Sequence, residues 1–523
     1  MAGLGSVAYP GKLMFGRASE RRVPATSTNL YPAPTKGWVQ TGNLGAATAD
    51  QAEVLDNFVV TAEGARLRGG KQRVGDLGAS VEQLFSYNSG SVDTLFGATD
   101  GDIFDISDIA GGAVKTGTTS GDWSTTQLST AGGVFLIGVN GTDVGFTYNG
   151  TTFSDLAVNN VSEADLSQVW TFKERVFFVE VGTQSAWYLD PKSIGGDAAE
   201  LNMGSVFRRG GTLLFGATWS LDSGSGLDDV CLFVSDNGEV AVYEGTNPAS
   251  AVTWGLSGVY DIGIPMNKHS YFKAGGDLAV VTRDGIIPIS SAVRKDRAAL
   301  RLDSISYPIE DAWKAAMSSG GTFPTSATLW QSAGFLLVGT GAATERKPVS
   351  FVSNANTGAW SRITGWDVRC SAIFDDRLYF GSESGCVFLA DSTGSDDGEQ
   401  YTGVYVGKFK HSESLTSANS VGVTYKATQE LDFDLLAFGD YNITDVTAPS
   451  VTLADSTGEW GQGEWGSFVW GETTNLTSYT SWQSVFANGY ATAPGLAITS
   501  NQDVAVVFEI TVTRLRSEGG YAL

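Results

Sequence analysis

From about residue 78 the chain alternates short apolar-aromatic runs with turns of Gly, Asn, Asp and Ser. Leu95-Phe96-Gly97 precedes Asp100-Gly101 and then Ile103-Phe104-Asp105-Ile106. Val134-Phe135-Leu136-Ile137 runs into Asn140-Gly141, and Phe146-Thr147-Tyr148 into Asn149-Gly150. The same device recurs at Asn237-Gly238, Asp284-Gly285 and Ser384-Gly385. Asn-Gly and Asp-Gly supply the positive φ that a two-residue hairpin turn needs, so each pair of runs reads as a β-hairpin. The units recur at roughly the 40–50-residue size of a four-stranded propeller blade, about seven of them up to residue 411. One such sheet is apolar on both faces and cannot bury them alone. Stacking sheets radially covers both faces and leaves only short edges. The expected fold class is therefore all-β, a β-propeller of about seven blades, with six or eight blades or tandem β-sandwiches as alternatives.

Two stretches break this rhythm. In 308–318 the positions Ile309, Trp313 and Ala316/Met317 fall near helical spacing behind Pro308, which predicts a short helix packed on the side of a blade. After His411 the run Ser412 to Ser420 marks a boundary, followed by strand-like runs at 421–426, 431–438 and 504–512. Between them, Trp460, Trp465 and Trp470 recur at five-residue spacing among glycines. Five does not keep residues on one face of a strand, so bends or bulges would re-aim each ring. The reading divides the chain into an N-terminal arm and docking segment (1–77), a propeller (78–411) and a C-terminal β domain for ring assembly or docking (412–523).

Composition agrees with a turn-rich β protein. Glycine is 66 of 523 residues, proline only 13, and 14 Trp, 17 Tyr and 27 Phe demand burial. The net charge of −24 speaks against sequence-specific DNA binding, which rests on cations at phosphate. It leaves room for a surface that DNA slides past. The charge is uneven: residues 1–75 carry +4 and the rest −28. Within the first 40 residues Glu20 is the only acid, and Arg17, Arg21 and Arg22 are the candidate contacts of an arm that docks on an acidic partner or an assembly neighbour. No run of 18 apolar residues occurs, so no membrane span is expected, and the N-terminus lacks the apolar core of a signal peptide.

The search for reactive chemistry is largely negative. Two histidines, His269 and His411, and three cysteines without CxxC spacing make a His- or Cys-based metal site improbable. No P-loop, GxSxG or HExxH is present. A propeller glycosidase would need two carboxylates facing one cleft, which many Asp and Glu leave open. The loop Asp391 to Gly398 has acids for a calcium ion but not the helix–loop–helix spacing, and a solvated turn explains it better. Cys231, Cys370 and Cys386 read as small buried hydrophobes. No catalytic, cofactor or metal residue is assigned. Trp460, Trp465 and Trp470 are interface candidates, with core packing or a sugar-stacking platform as the other readings.

Several stretches resemble a family of bacteriophage virion proteins: Asn356 to Asp367, Phe374 to Gly381, Ala52 to Phe58 with Arg66 to Gly70, the spaced tryptophans and the Glu518-Gly519-Gly520 ending. By architecture that family resembles the propeller-containing nozzle proteins of short-tailed phages. The resemblance implies a virion structural protein without enzymatic activity or cofactor, a homo-hexameric ring below the portal-adaptor. Such a ring would extend the DNA ejection channel and contact the head-tail adaptor and the tail fibre or needle proteins, with DNA passing through unread. It would reside in the virion, and in the host cytoplasm during assembly. The rivals are a host-glycan-binding adhesin of tail-fibre type and a glycan-cleaving propeller enzyme.

Overall fold

The computed structural model describes residues 26–41, 47–220, 229–319, 326–344, 347–427, 430–444, 446, 476–500 and 506–517. Sheets at 83–116, 124–155, 166–202, 213–261, 271–288, 326–364 and 370–393 follow one another along the chain, each an antiparallel meander. Six are four-stranded propeller blades, and the fifth in order, 271–288, is a three-stranded sheet that fills its own sector.

Alternation within each strand closes the circle, because successive side chains point to opposite faces of the sheet. In the first blade Phe85 and Phe96 pack with Leu136 and Phe146 of the second. Their neighbours Leu84 and Leu95 pack with Cys370 and Val387 of the last. In the fourth blade Cys231 and Phe233 meet Trp170 and Phe177 of the third, while Leu232 and Val234 meet Leu278 and Val280 of the fifth sheet. Each such buried side chain contributes about 1.5–3 kcal/mol. The hairpin turns use their glycines as expected. Gly238 sits at φ 82°, and any Cβ there would collide with the carbonyl of Gly263.

Closure uses a distant strand. Gly70–Asp76 pairs antiparallel with Cys386–Thr393 and is the fourth strand of the last blade. Gly70 lies so close to the carbonyl of Ser395 that no side chain fits there. Within the segment expected as an arm and docking segment, the described residues form strands at Thr26–Pro32, Ala52–Asp56, Phe58–Val60, Ala65–Leu67 and Gly70–Asp76.

The blade at 326–364 does not end at its fourth strand. Asp56 pairs in parallel with Arg362, and Ala52–Asp56 pairs on with Thr402–Gly407. From there the sheet continues through Thr477–Thr499, Lys410–Ala427 and Val506–Ser517, thirteen strands in all. The boundary expected after His411 therefore falls inside the strand Lys410–Ala427. The expected helix is Glu310–Ser319, entered through a 3-10 turn at Tyr307–Ile309. Trp313 is fully buried there and donates Nε1 to the Thr282 carbonyl at 3.1 Å. Glu310 accepts from Arg301 and Lys314.

Candidate functional site

The propeller axis is the first place to look. Residues 267–271 lead into the fifth sheet, yet they bond to the first, second and third sectors, so they cross the axis. Lys268 Nζ donates to the carbonyls of Asp122 (2.7 Å), Asn140 (3.2 Å) and Ser167 (3.1 Å) and stands 3.1 Å from Asp122 Oδ2. Its side chain is 10% exposed. His269 Nε2 lies 2.7 Å from Asp122 Oδ1, and Gln83 Nε2 lies 3.2 Å from Nδ1. With the Gln83 amide donating, Nδ1 accepts and Nε2 carries the proton given to Asp122. Tyr271 stacks on Phe215 at 4.7 Å, and buried Gln168 bonds both backbone groups of Gly216 at 3.0 Å.

The electrostatics follow from this crowding. Burial disfavours the Asp122 carboxylate, but the His269 ring and the Lys268 ammonium outweigh it and hold the carboxyl well below the usual range. Burial pulls the Lys268 ammonium below its ordinary value, with Asp122 opposing. The Asp–His pair resembles part of a hydrolytic triad, but both ring nitrogens are engaged by Asp122 and Gln83 rather than by a hydroxyl or thiol. What the arrangement does is pin a loop across the axis. Between the strands Gln83–Asn88, Ser124–Thr130 and Cys370–Phe374 lies an open pocket of about 320 Å³ lined by Ser86, Thr126, Gln127 and Ile373.

A second cluster joins the propeller to the continuing sheet. The acidic loop weighed as a calcium site turns its carboxylates to arginines instead. Arg66 pairs with Asp391 (2.6 Å), Arg68 with Asp396 (2.7 Å) and Arg73 with Asp397 (2.7 Å). Arg68 is fully buried: Nη1 and Nη2 grip both Asp396 oxygens, Nε donates to Asn57 Oδ1 at 2.9 Å, and the guanidinium lies 3.7 Å over the Tyr401 ring and 4.8 Å over Trp366. Among the described residues no group of three His, Cys, Asp or Glu stands ready for a metal ion. The three cysteines are buried and free, and burial pushes the Cys370 thiol up to about 12. No helix among the described residues is long and apolar enough to cross a membrane.

The third feature is a bare sheet face. Thr477–Thr499 has no charged residue in 23 positions, and its even-numbered side chains from 478 to 490 face solvent. Trp482 is 43% exposed, Phe486 79% and Tyr490 56%. Gly422 is paired with Trp482 and seats its ring, while Arg514 lies 4.4 Å over that ring. Sequence reading missed these aromatics; the polar alternation and the absence of charge over 477–490 were the available signals. The six interface candidates, Trp460, Trp465, Trp470, Arg17, Arg21 and Arg22, all lie outside the described residues.

No family model matches the chain, and no curated protein matches it significantly. Among solved structures it is similar to the WD40 β-propeller domain of Doa1, at 10% identity over 62% of this chain and 97% of that one, with a TM-score of 0.36. The β-propeller domain of Cps50 (Swd1) from Myceliophteria thermophila gives 11% identity, 63% and 100% coverage and a TM-score of 0.38. The computationally designed Ika8 protein gives 9%, 61%, 99% and 0.35. These likenesses concern form alone and carry no activity or partner over to this chain. By its own sheet topology the chain is an all-β protein whose larger part is a β-propeller.

Proposed function

We propose that the chain is a structural subunit of a phage tail, a nozzle or tail-tube component below the portal-adaptor that forms part of the wall of the DNA ejection channel. The phage assignment rests on the sequence resemblance. The observation that supports a building-block role is the sheet that runs on from the blade at 326–364 into Thr477–Thr499, a strand without a charged residue. Such continuity passes load from a rigid propeller to an assembly surface without a hinge. The pinned loop fits the same role: Lys268 and His269 tie the lead-in of the fifth sheet to the first three sectors, which stiffens the propeller as a unit. The strongly negative chain suits a wall that DNA must not grip. Imaging purified particles tests the proposal. Density for this chain at the tail hub is expected; its absence from intact particles, or a place only on distal fibres, overturns it.

One observation favours a second reading, a host-glycan-binding adhesin. Trp482, Phe486 and Tyr490 offer ring faces to solvent, and sugars stack on such faces. A glycan array with the isolated protein and Trp482→Ala decides between them. Binding that the substitution abolishes supports the adhesin, and no binding above background removes it.

A further inference from the structure

The solvent face of the sheet formed by Thr26–Pro32, Val506–Ser517, Lys410–Ala427 and Thr477–Thr499 is built unlike the surface of a free monomer. One row across it reads Leu30, Val512, Gly422 and Trp482 by backbone pairing, and the next reads Thr28, Arg514, Ser420 and Ser484. Leu30 is 57% exposed. Trp482, Phe486 and Tyr490 repeat every fourth position, so the three rings span about 27 Å along the strand. A long uncharged strand with exposed aromatics is an aggregation hazard, which natural sheets blunt with lysines, bulges or prolines. Pro32 is the one such guard on the edge strand Thr26–Pro32, which pairs on one side only among the described residues. A surface like this is stable in solution when something covers it.

Charge points to the occupant. The paired rows of this face carry Arg514 and Arg516, both exposed, and Lys426, against one flanking acid, Asp440 at the Tyr490 backbone, in a chain of net charge −24. A second copy therefore offers an acidic surface to a cationic, aromatic one. Nucleic acid is disfavoured by the same overall charge, and a single sugar ring would leave most of the 27 Å span bare. We infer that this face is where one copy of the chain engages an acidic surface of the next. Because the two surfaces differ, the contact is heterologous and propagates into a closed ring or an open filament. The inference rests on the building-block reading above and names the surface that reading needs.

The test uses the full chain, free in solution. Analytical ultracentrifugation across low-micromolar concentrations compares wild type with Phe486→Ser/Tyr490→Ser and with Arg514→Glu. Wild type is expected to self-associate, more weakly as salt rises, and both variants to raise the dissociation constant at least about 30-fold. Because Phe486 and Tyr490 are mostly exposed, the double variant should melt with wild type, so loss of association cannot be laid to unfolding. A photo-crosslinking amino acid at position 486, in a mixture of isotopically light and heavy chains, should give mixed light–heavy products. Wild type that stays monomeric, variants that associate normally, or crosslinks confined to residues 447–475 of the same chain would each overturn the inference. Association without presence in particles would sink the tail assignment and leave the interface standing.

Discussion

Arg68 offers the sharpest test of how the propeller is held to its extension. Replacing it by Met keeps much of the volume and removes every donor. Asp396 would then keep only Trp366 Nε1 at 3.1 Å and the Lys71 amide at 3.2 Å, in a site with almost no water. Breaking a buried pair from one side costs about 3–5 kcal/mol, because the orphaned charge has no solvent to return to. At about 2.1 cal/mol/K per residue, cooperative unfolding of the whole chain has an entropy near 1.1 kcal/mol/K, so the cost becomes a fall of about 3–5 °C in melting temperature. Calorimetry on Arg68→Met measures this. Arg68→Met/Asp396→Asn should regain at least half of the loss, since the stranded charge is gone while Trp366 and Lys71 still find an acceptor. Arg73→Met, at the exposed Asp397 pair, should leave the melt unchanged. A fall of less than about 1 °C for the single variant, or a double variant no better than the single, would refute the view that Arg68 and Asp396 are one buried unit.

Other consequences can be checked as readily. The Asp122 carboxyl binds its proton less readily in the fold than in an unfolded chain, where the value lies near ~3.9. It therefore stabilises the protein above that pH and ceases to as acid takes the carboxyl through its folded value; Asp122→Asn should flatten the acid limb of a stability–pH curve. Lys268→Met strands three carbonyls at the axis, so hydrogen exchange should accelerate at residues 267–271 and leave the first blade's Phe96 protected. Gly70→Ala drives a methyl into the Ser395 carbonyl, and limited proteolysis should then cut near residues 70–76 while wild type resists.

The blades were legible because their signal is local. Asn237-Gly238 dictates a turn, the apolar runs beside it dictate strands, and Trp313 spaced from Ile309 and Met317 dictates a helix. What joins distant parts was not legible. Gly70–Asp76 is rich in charge and glycine and falls in the segment read as arm and docking, and its partner lies past residue 385. Arg66, Arg68 and Arg73 lie at the end of the positively charged stretch 1–75. For these three the acids belong to the same chain, in a loop that looked like a solvated turn. Lys268 and His269 sit in a segment without any motif, and only the radial arrangement brings them to Asp122. The aromatic face was hidden for another reason. Trp482, Phe486 and Tyr490 are four apart, a spacing easily passed over beside the denser tryptophans at 460–470.

The seam between Gly70–Asp76 and Cys386–Thr393 also sets a timetable for synthesis. At roughly 5–20 residues per second, the early strand waits about 15–60 s on the ribosome before its mate emerges. Thr26–Pro32 waits longer still, since it zips onto residues 510–516 near the C-terminus. A nascent or prematurely ended chain thus has an unlatched rim and an unsupported first strand. Only a chain synthesised past residue 516 can close both seams, so the order of synthesis sets the order in which the rim is latched.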